Sequence, residues 1–214
     1  MKTWSLRAFA ALLAVALIGG CGQASNVPEK NHASPTASPS AREYPPPDAG
    51  KFFTWQEMPE LGQQKRQIAK TVRAWAYFLE LSARFSGYAD PRWEGISTRS
   101  FWEIQSNGDD TPGGNRGPVT TRLLKIEISG KTALATICVD NRQTEVTIGE
   151  SKEWKPLKPA ITVGGPKLRR SDRSPTGWIR TGYGRTGMDV KDCKRSFADE
   201  EPAVSKTGAP PGFD

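Results

Sequence analysis

Between residues 61 and 85, apolar side chains recur at helical spacing. Ile68, Val72, Trp75, Leu79 and Ser82 fall on one stripe, and Phe78, Leu81 and Phe85 widen it. Lys65, Arg66, Lys70 and Arg73 fall on the other side, so the pattern predicts a long amphipathic helix packed by its aromatic stripe. Gly87 fits its stop. The bland account of these aromatics is core; the sharper one is a lined ligand cavity. Just upstream, Phe52, Phe53, Trp55 and Met58 read as a domain edge that packs back onto the core, with an exposed docking patch as the other reading. Asp90-Pro91 starts a second predicted helix, Asp as cap and Pro in the first turn. Trp93, Ile96, Phe101, Trp102 and Ile104 supply its apolar side. Residues 106–118, rich in Gly, Asn, Asp and Pro, read as a loop. Asp109 and Asp110 lack the regular oxygen series and closing Glu of a calcium loop.

The period then changes to two. Leu124, Ile126 and Ile128 alternate with Leu123, Lys125 and Glu127, Ser129-Gly130-Lys131 reads as a hairpin turn, and residues 132–140 form the next strand. Ala133, Ala135, Ile137 and Val139 take one face of that strand; Leu134, Thr136 and Cys138 take the other. After a turn at Asn141-Arg142, Thr144, Val146 and Ile148 begin a third strand. Residues 151–175 hold Lys152, Lys155, Lys158, Lys167, Arg169, Arg170 and Arg173 among prolines and glycines. They read as a basic excursion between strands, with a short strand at 160–163. Residues 177–183 and 188–193 are the last two expected strands, the final one bringing Cys193 beside Cys138. Residues 199–214, acidic and then Pro/Gly-rich, read as a disordered tail.

The N-terminus has its own pattern. Lys2 and Arg7 precede an unbroken apolar run from Ala8 to Ile18, too short to span a bilayer, which takes roughly 20 apolar residues. A basic start, a short apolar core and small residues before a cut site describe a secretory signal peptide. Leu17-Ile18-Gly19-Gly20-Cys21 resembles the bacterial lipobox. That resemblance implies cleavage between Gly20 and Cys21, diacylglyceride on the Cys21 thiol, and a protein held on the extracytoplasmic face of the cell membrane, since two acyl chains anchor stably. An ordinary secreted protein and an uncleaved N-terminal anchor are the other readings of the same run. Residues 22–48, with Ser-Pro repeats and Tyr44-Pro45-Pro46-Pro47, lack the aliphatics to offset ordering entropy and read as a tether.

Composition narrows the picture. Hydrophobic residues are 36% of the chain, with 17 prolines and 21 glycines, so linker and tail take a good share and one domain of ordinary size remains. The formal charge is +7, and removing Lys2 and Arg7 leaves about +5, a balance that favours anionic headgroups. Nucleic acid, the usual rival partner of a basic chain, does not fit an exported protein. With Cys21 taken by lipid, Cys138 and Cys193 are left over, and in an oxidising compartment the expectation is a Cys138–Cys193 disulfide rather than two separate buried thiols.

Helix, helix, then a curved antiparallel sheet is an α+β order. It resembles the nuclear-transport-factor-2-like superfamily, a cone of helices against a bent sheet. A nearer likeness is to exported lipoproteins of high-GC Gram-positive bacteria and their phages, through Cys138-Val139-Asp140, Gly177-Trp178-Ile179 and the segment ending Asp189-Val190-Lys191-Asp192-Cys193. The likeness covers roughly residues 65–193. The expected organisation is a signal peptide at 1–20, a lipidated cysteine and linker at 21–50, an α+β domain at 51–197 and a tail at 198–214. The superfamily includes dehydratases, isomerases and cyclases as well as non-catalytic partner-binding domains, so fold alone does not assign an activity.

Its enzymes use an Asp with His or Tyr in the cone's pocket. His32, the single histidine, lies in the linker, so acid–base work would fall to Tyr77, Tyr88, Asp90, Glu94, Glu103 or Asp140. Nothing in their spacing selects one, and Asp140 at a strand end more commonly serves a turn. No metal set, cofactor motif, nucleophile elbow or phosphate-cradling glycine loop is legible. The expected function is therefore non-catalytic: an envelope lipoprotein binding a protein partner or a small apolar ligand. The seven basic residues from Lys152 to Arg173 offer a contact surface for headgroups or an acidic partner, their bland reading being a solvated loop. The alternative is a small dehydratase or isomerase using a pocket carboxylate and a tyrosine.

Overall fold

The computed structural model describes residues 52–85, 91–100, 113–148, 153–198, 203–208 and 210, all within one compact unit, Ala41–Asp214. The signal peptide, Cys21, the linker, Tyr88, Asp90, Glu103 and Lys152 lie outside the described residues.

The predicted long helix is α1, Gln63–Arg84. Its stripe is buried as the spacing requires: Ile68, Val72, Trp75, Phe78 and Leu81 are all in the core, while Leu79 is only partly covered. Lys65, Arg66 and Lys70 face solvent. Arg73 does not. It is 5% exposed, and its guanidinium donates to the Gly208 carbonyl at 3.2 Å. The second predicted helix begins as a 3-10 turn, Pro91–Ile96, which buries Trp93 and Ile96; helix resumes at residues 99–100, and Phe101, Trp102 and Ile104 lie outside the described residues.

The aromatic edge is a strand, β1 (Phe53–Glu57), with Phe53 and Trp55 fully buried. It runs parallel to β3 (Val119–Ser129) and antiparallel to β10 (Val204–Thr207). Part of the stretch read as a disordered tail is thus an edge strand. Residues 204–207 pair with β1, and the buried Arg73 holds the carbonyl that follows them. β3 and β4 (Thr132–Asp140) form the expected hairpin around Gly130. On the far side of β4 lie β7 (Ile161–Gly164) and β8 (Pro166–Arg170), then β9 (Trp178–Tyr183), giving the order β10-β1-β3-β4-β8-β9 with β7 also on β4. β7 and β8 keep one register against β4 on either side of Gly165, so they act as one interrupted strand.

The alternation expected for β3 holds only in part. A register shift between Leu123 and Lys125 inserts Leu124 as an extra residue. A bulge of this kind switches which residues face inward. Val119, Thr121 and Leu123 are buried before it, Ile126 after it. Leu124 turns to the opposite face. There it joins Val163 and Phe197 around the buried Cys138, Ile161 and Cys193.

That second face is covered by α2, Val190–Ala198. Residues 188–193, expected as the last strand, lead into this helix instead. The Asp189 carboxylate accepts from the Lys191 and Asp192 amides at 2.7 and 3.0 Å, as a helix cap does. Cys193 is nevertheless beside Cys138. The two form a disulfide with Cα atoms 5.4 Å apart, tying α2 to β4. The result is an α+β arrangement in which α1 and α2 cover opposite faces of the main sheet. Among the described residues no helix is long and apolar enough to cross a membrane.

A small sheet of β2 (Gly113–Arg116), β5 (Glu145–Ile148) and β6 (Lys155–Pro156) flanks the main one. The third predicted strand therefore exists but pairs with β2 and β6 rather than with β4. Gly117, at φ +87°, joins β2 to β3. A Cβ there would meet the Gln143 carbonyl oxygen at 2.1 Å, so the close approach requires glycine.

Candidate functional site

The basic excursion is not a loop, and it is not one surface. Lys155 lies on β6 and pairs with Glu153 at 3.1 Å; Lys158 is exposed nearby, before β7. Lys167 lines a 320 Å³ cavity with Leu134 and Thr181. Arg170 shares the core-side face of β8 with Leu168, its guanidinium 5.5 Å from the Trp178 ring centroid. Arg169 and Arg173 come together elsewhere, and there they meet an arginine that sequence reasoning did not select, Arg99.

Arg169 pairs in register with Ile179, so both stand on the face of the β8–β9 hairpin opposite Leu168 and Trp178. The chain leaving the 3-10 turn runs along the outer edge of β9. Ser97 bridges to Arg180, and the Thr98 amide donates to the Arg180 carbonyl at 3.0 Å. Between that segment and the hairpin lies a groove of about 610 Å³. Among the described residues its cations are Arg99, Arg169 and Arg173 and its acid is Glu94. Ser97, Thr98 and Ser171 add hydroxyls, and Ile179 is its apolar contact.

The loop that carries Ser171 and Arg173 is fixed from below. Thr176 brings its hydroxyl within 2.5 Å of Thr71 on α1, donates to the Trp178 carbonyl at 3.2 Å, and lies 3.0 Å from the Ser174 hydroxyl. All three hydroxyl residues are buried. Backbone hydrogen bonds from Ser171 to Gly177 and from Ser174 to Ser171 close the turn, which ends at Gly177 with φ +75°. Arg173 therefore projects from a pinned turn. Among the described residues, neither Arg169 nor Arg173 makes an ion pair with an acid.

Of the candidate acid–base groups, the three described ones, Tyr77, Glu94 and Asp140, do not come together. Tyr77 is fully buried in aromatic packing, its ring 5.5 Å from Phe53 and 5.8 Å from Phe78. Glu94 lines the groove with the arginines, and no tyrosine is among the described residues that line it. Asp140 accepts from the Arg142 amide and grips the Arg142 guanidinium at 2.6 Å. Burial works against its ionisation, but the hydrogen bonds and charge of Arg142 outweigh it and hold the carboxyl below its usual range. Asp140 serves the turn at residues 142–143.

The more perturbed groups were not singled out from sequence. Burial raises the Glu80 carboxyl, partly offset by Arg84 at 3.8 Å. Burial lowers Arg180 to about 10, with Tyr183 acting in the opposite sense. Arg180 is 1% exposed, between the rings of Trp75 and Tyr183 at 4.8 and 4.2 Å. The Glu80/Arg84 spacing of four was a readable helix pair; nothing in the chain marked Arg180 as interior. No cluster of His, Cys, Asp and Glu among the described residues could hold a metal ion. No family model matches the chain, and neither a curated protein nor a solved structure matches it.

Proposed function

We propose that the chain is an extracytoplasmic lipoprotein, anchored to the cell membrane through lipid on Cys21, whose folded domain is a non-catalytic binding module at the cell envelope. The observation that carries this reading is the disulfide. Two of the three cysteines are buried and bridged between β4 and α2, while the third closes the N-terminal apolar run. Disulfides persist in oxidising compartments and are rare in the cytosol. A bridged pair beside a lipobox-like cysteine is what an exported, acylated chain would carry.

The binding role is supported by the groove, whose lining is cationic and hydroxyl-rich. That lining shifts the expected ligand from an apolar molecule towards an anionic group on a partner, a small molecule or a lipid. The likeness to a nuclear-transport-factor-2-like domain is a proposal of the same order. One long amphipathic helix on a largely antiparallel sheet supports it; the parallel β1 and the cysteine-bearing α2 are features it did not predict.

Cell fractionation tests the anchor. The wild-type chain should leave the membrane only with detergent, and Cys21→Ser should appear in the soluble extracytoplasmic fraction. Detergent-dependent retention of Cys21→Ser would refute lipidation, and recovery of wild type in the cytosol with free Cys138 and Cys193 would refute export. Crosslinking in intact cells, followed by mass spectrometry, would identify an envelope partner.

A further inference from the structure

We infer that the groove between the 3-10 segment and the β8–β9 hairpin binds the phosphate of a polyol phosphate. The inference deepens the binding role proposed above but does not depend on Cys21 carrying lipid. Among the described residues, two guanidiniums of the lining, Arg169 and Arg173, have no acid partner. That exceeds what a single carboxylate ligand neutralises and suits a phosphate, whose several oxygens take planar guanidinium forks. Arg169 is set by strand pairing to Ile179, and Arg173 by a turn pinned to α1 through Thr176 and Thr71. The backbone that carries the two cations is thus placed before any ligand arrives, which lowers part of the ordering cost of binding.

The rest of the lining suits the polyol. Glu94 accepts hydrogen bonds from hydroxyl groups, and Thr98 and Ser171 can give or accept them. A groove of about 610 Å³ is several times larger than a lone phosphate needs and lies in the usual range for small organic ligands. The same glycerophosphate chemistry occurs in a phospholipid headgroup and in a soluble sugar or glycerol phosphate.

The test uses the full-length chain, with sn-glycerol 3-phosphate as the soluble probe in calorimetry. Vesicles of phosphatidylglycerol in phosphatidylcholine are the lipid probe, in flotation of the Cys21→Ser chain. Arg169→Gln/Arg173→Gln should weaken binding at least tenfold. Lys155→Gln/Lys158→Gln, which removes the same charge away from the groove, should leave it unchanged. Circular dichroism checks that each variant folds. If the double variant does not fold, Arg169→Lys and Arg173→Lys keep the charge but lose the fork, and each should still weaken binding. Soluble binding without flotation assigns a soluble ligand; flotation that glycerol phosphate displaces assigns the headgroup. No binding of either probe, equal loss in the lysine control, or equal competition by acetate would overturn the inference.

Discussion

Replacing Cys138 and Cys193 together by alanine should cost the domain about 4 kcal/mol. The magnitude follows from the chain separation of 55 residues that the bridge closes, which in the chain-entropy model removes about 14 cal/mol/K from the unfolded ensemble. For a domain of this size that is a fall in Tm of roughly 8–16 °C, at about 2–4 °C per kcal/mol. Both sulfurs are fully buried against Ile161, Leu124, Val163 and Phe197, so lost packing adds to the entropic effect rather than offsetting it. The assay is urea unfolding of wild type, wild type with reductant, and the double alanine variant. The unbridged chains should unfold at lower urea with a larger m-value, because an uncrosslinked unfolded chain exposes more surface. A difference below about 1 kcal/mol, or no response of the wild type to reductant under conditions that reduce buried bridges, would refute the covalent tie between β4 and α2.

Arg73→Met should loosen β10 by about 1–2 kcal/mol, because the buried guanidinium donates to the Gly208 carbonyl and methionine leaves that acceptor unpaired. Hydrogen exchange should quicken at the Gly208 amide, which donates to Phe53, and along β10; unchanged exchange there would show that Arg73 does not hold the edge strand. Two carboxyls should shape the pH dependence with opposite signs. The folded state raises Glu80, chiefly by burial, so the native protein binds the extra proton and stability falls as pH rises above the ordinary value of 4.5 through the native one. Glu80→Gln should flatten that decline. Asp140 is held below its ordinary 3.8, so its contribution is present above that pH and lost as pH falls through the native value; Asp140→Asn should remove that acid-side loss. Urea titrations from pH 3 to 8 would decide both, and parallel curves for wild type and variant would refute either assignment.

The elements legible in the sequence are those whose pattern is strong and local. The hairpin at Gly130, the faces of β4 and most of the stripe of α1 are as the spacing requires, with Leu79 only partly covered and Arg73 of the polar side buried. What was missed belongs to long-range pairing. A one-residue bulge leaves alternation intact on either side, so the sequence cannot show that Leu123 and Ile126 share a face. β8 hides its period because only Pro166 and Leu168 are buried, and Arg170, next on the same side, is exposed. β10 is short and polar, as edge strands are, and only its pairing to β1 makes it a strand. The same limit governs the groove. Arg169 and Arg173 are legible as basic, but Arg99 is 70 residues from Arg169 in sequence, and the pairing of Ser97 and Thr98 with Arg180 brings its segment alongside.

β4 explains how one sheet serves both the covalent tie and the groove. Its Cys138 end pairs with Val163 and is bridged to α2; its Thr132 end pairs with Arg169. Six residues of extended chain separate these ends by about 20 Å. Between them, Ala133, Ala135 and Ile137 pack into the core beneath α1, and Ala135 is fully buried. Small residues there let the large side chains of α1 approach the sheet. The rigid middle of β4 therefore fixes the distance between its two ends. The groove's other anchor, Thr176, also reports to α1. The arginines are thus held by the same helix–sheet packing that the disulfide braces from the opposite face. Loosening the bridge acts first on α2 and β7, and the groove stays in place as long as α1 remains seated on the sheet.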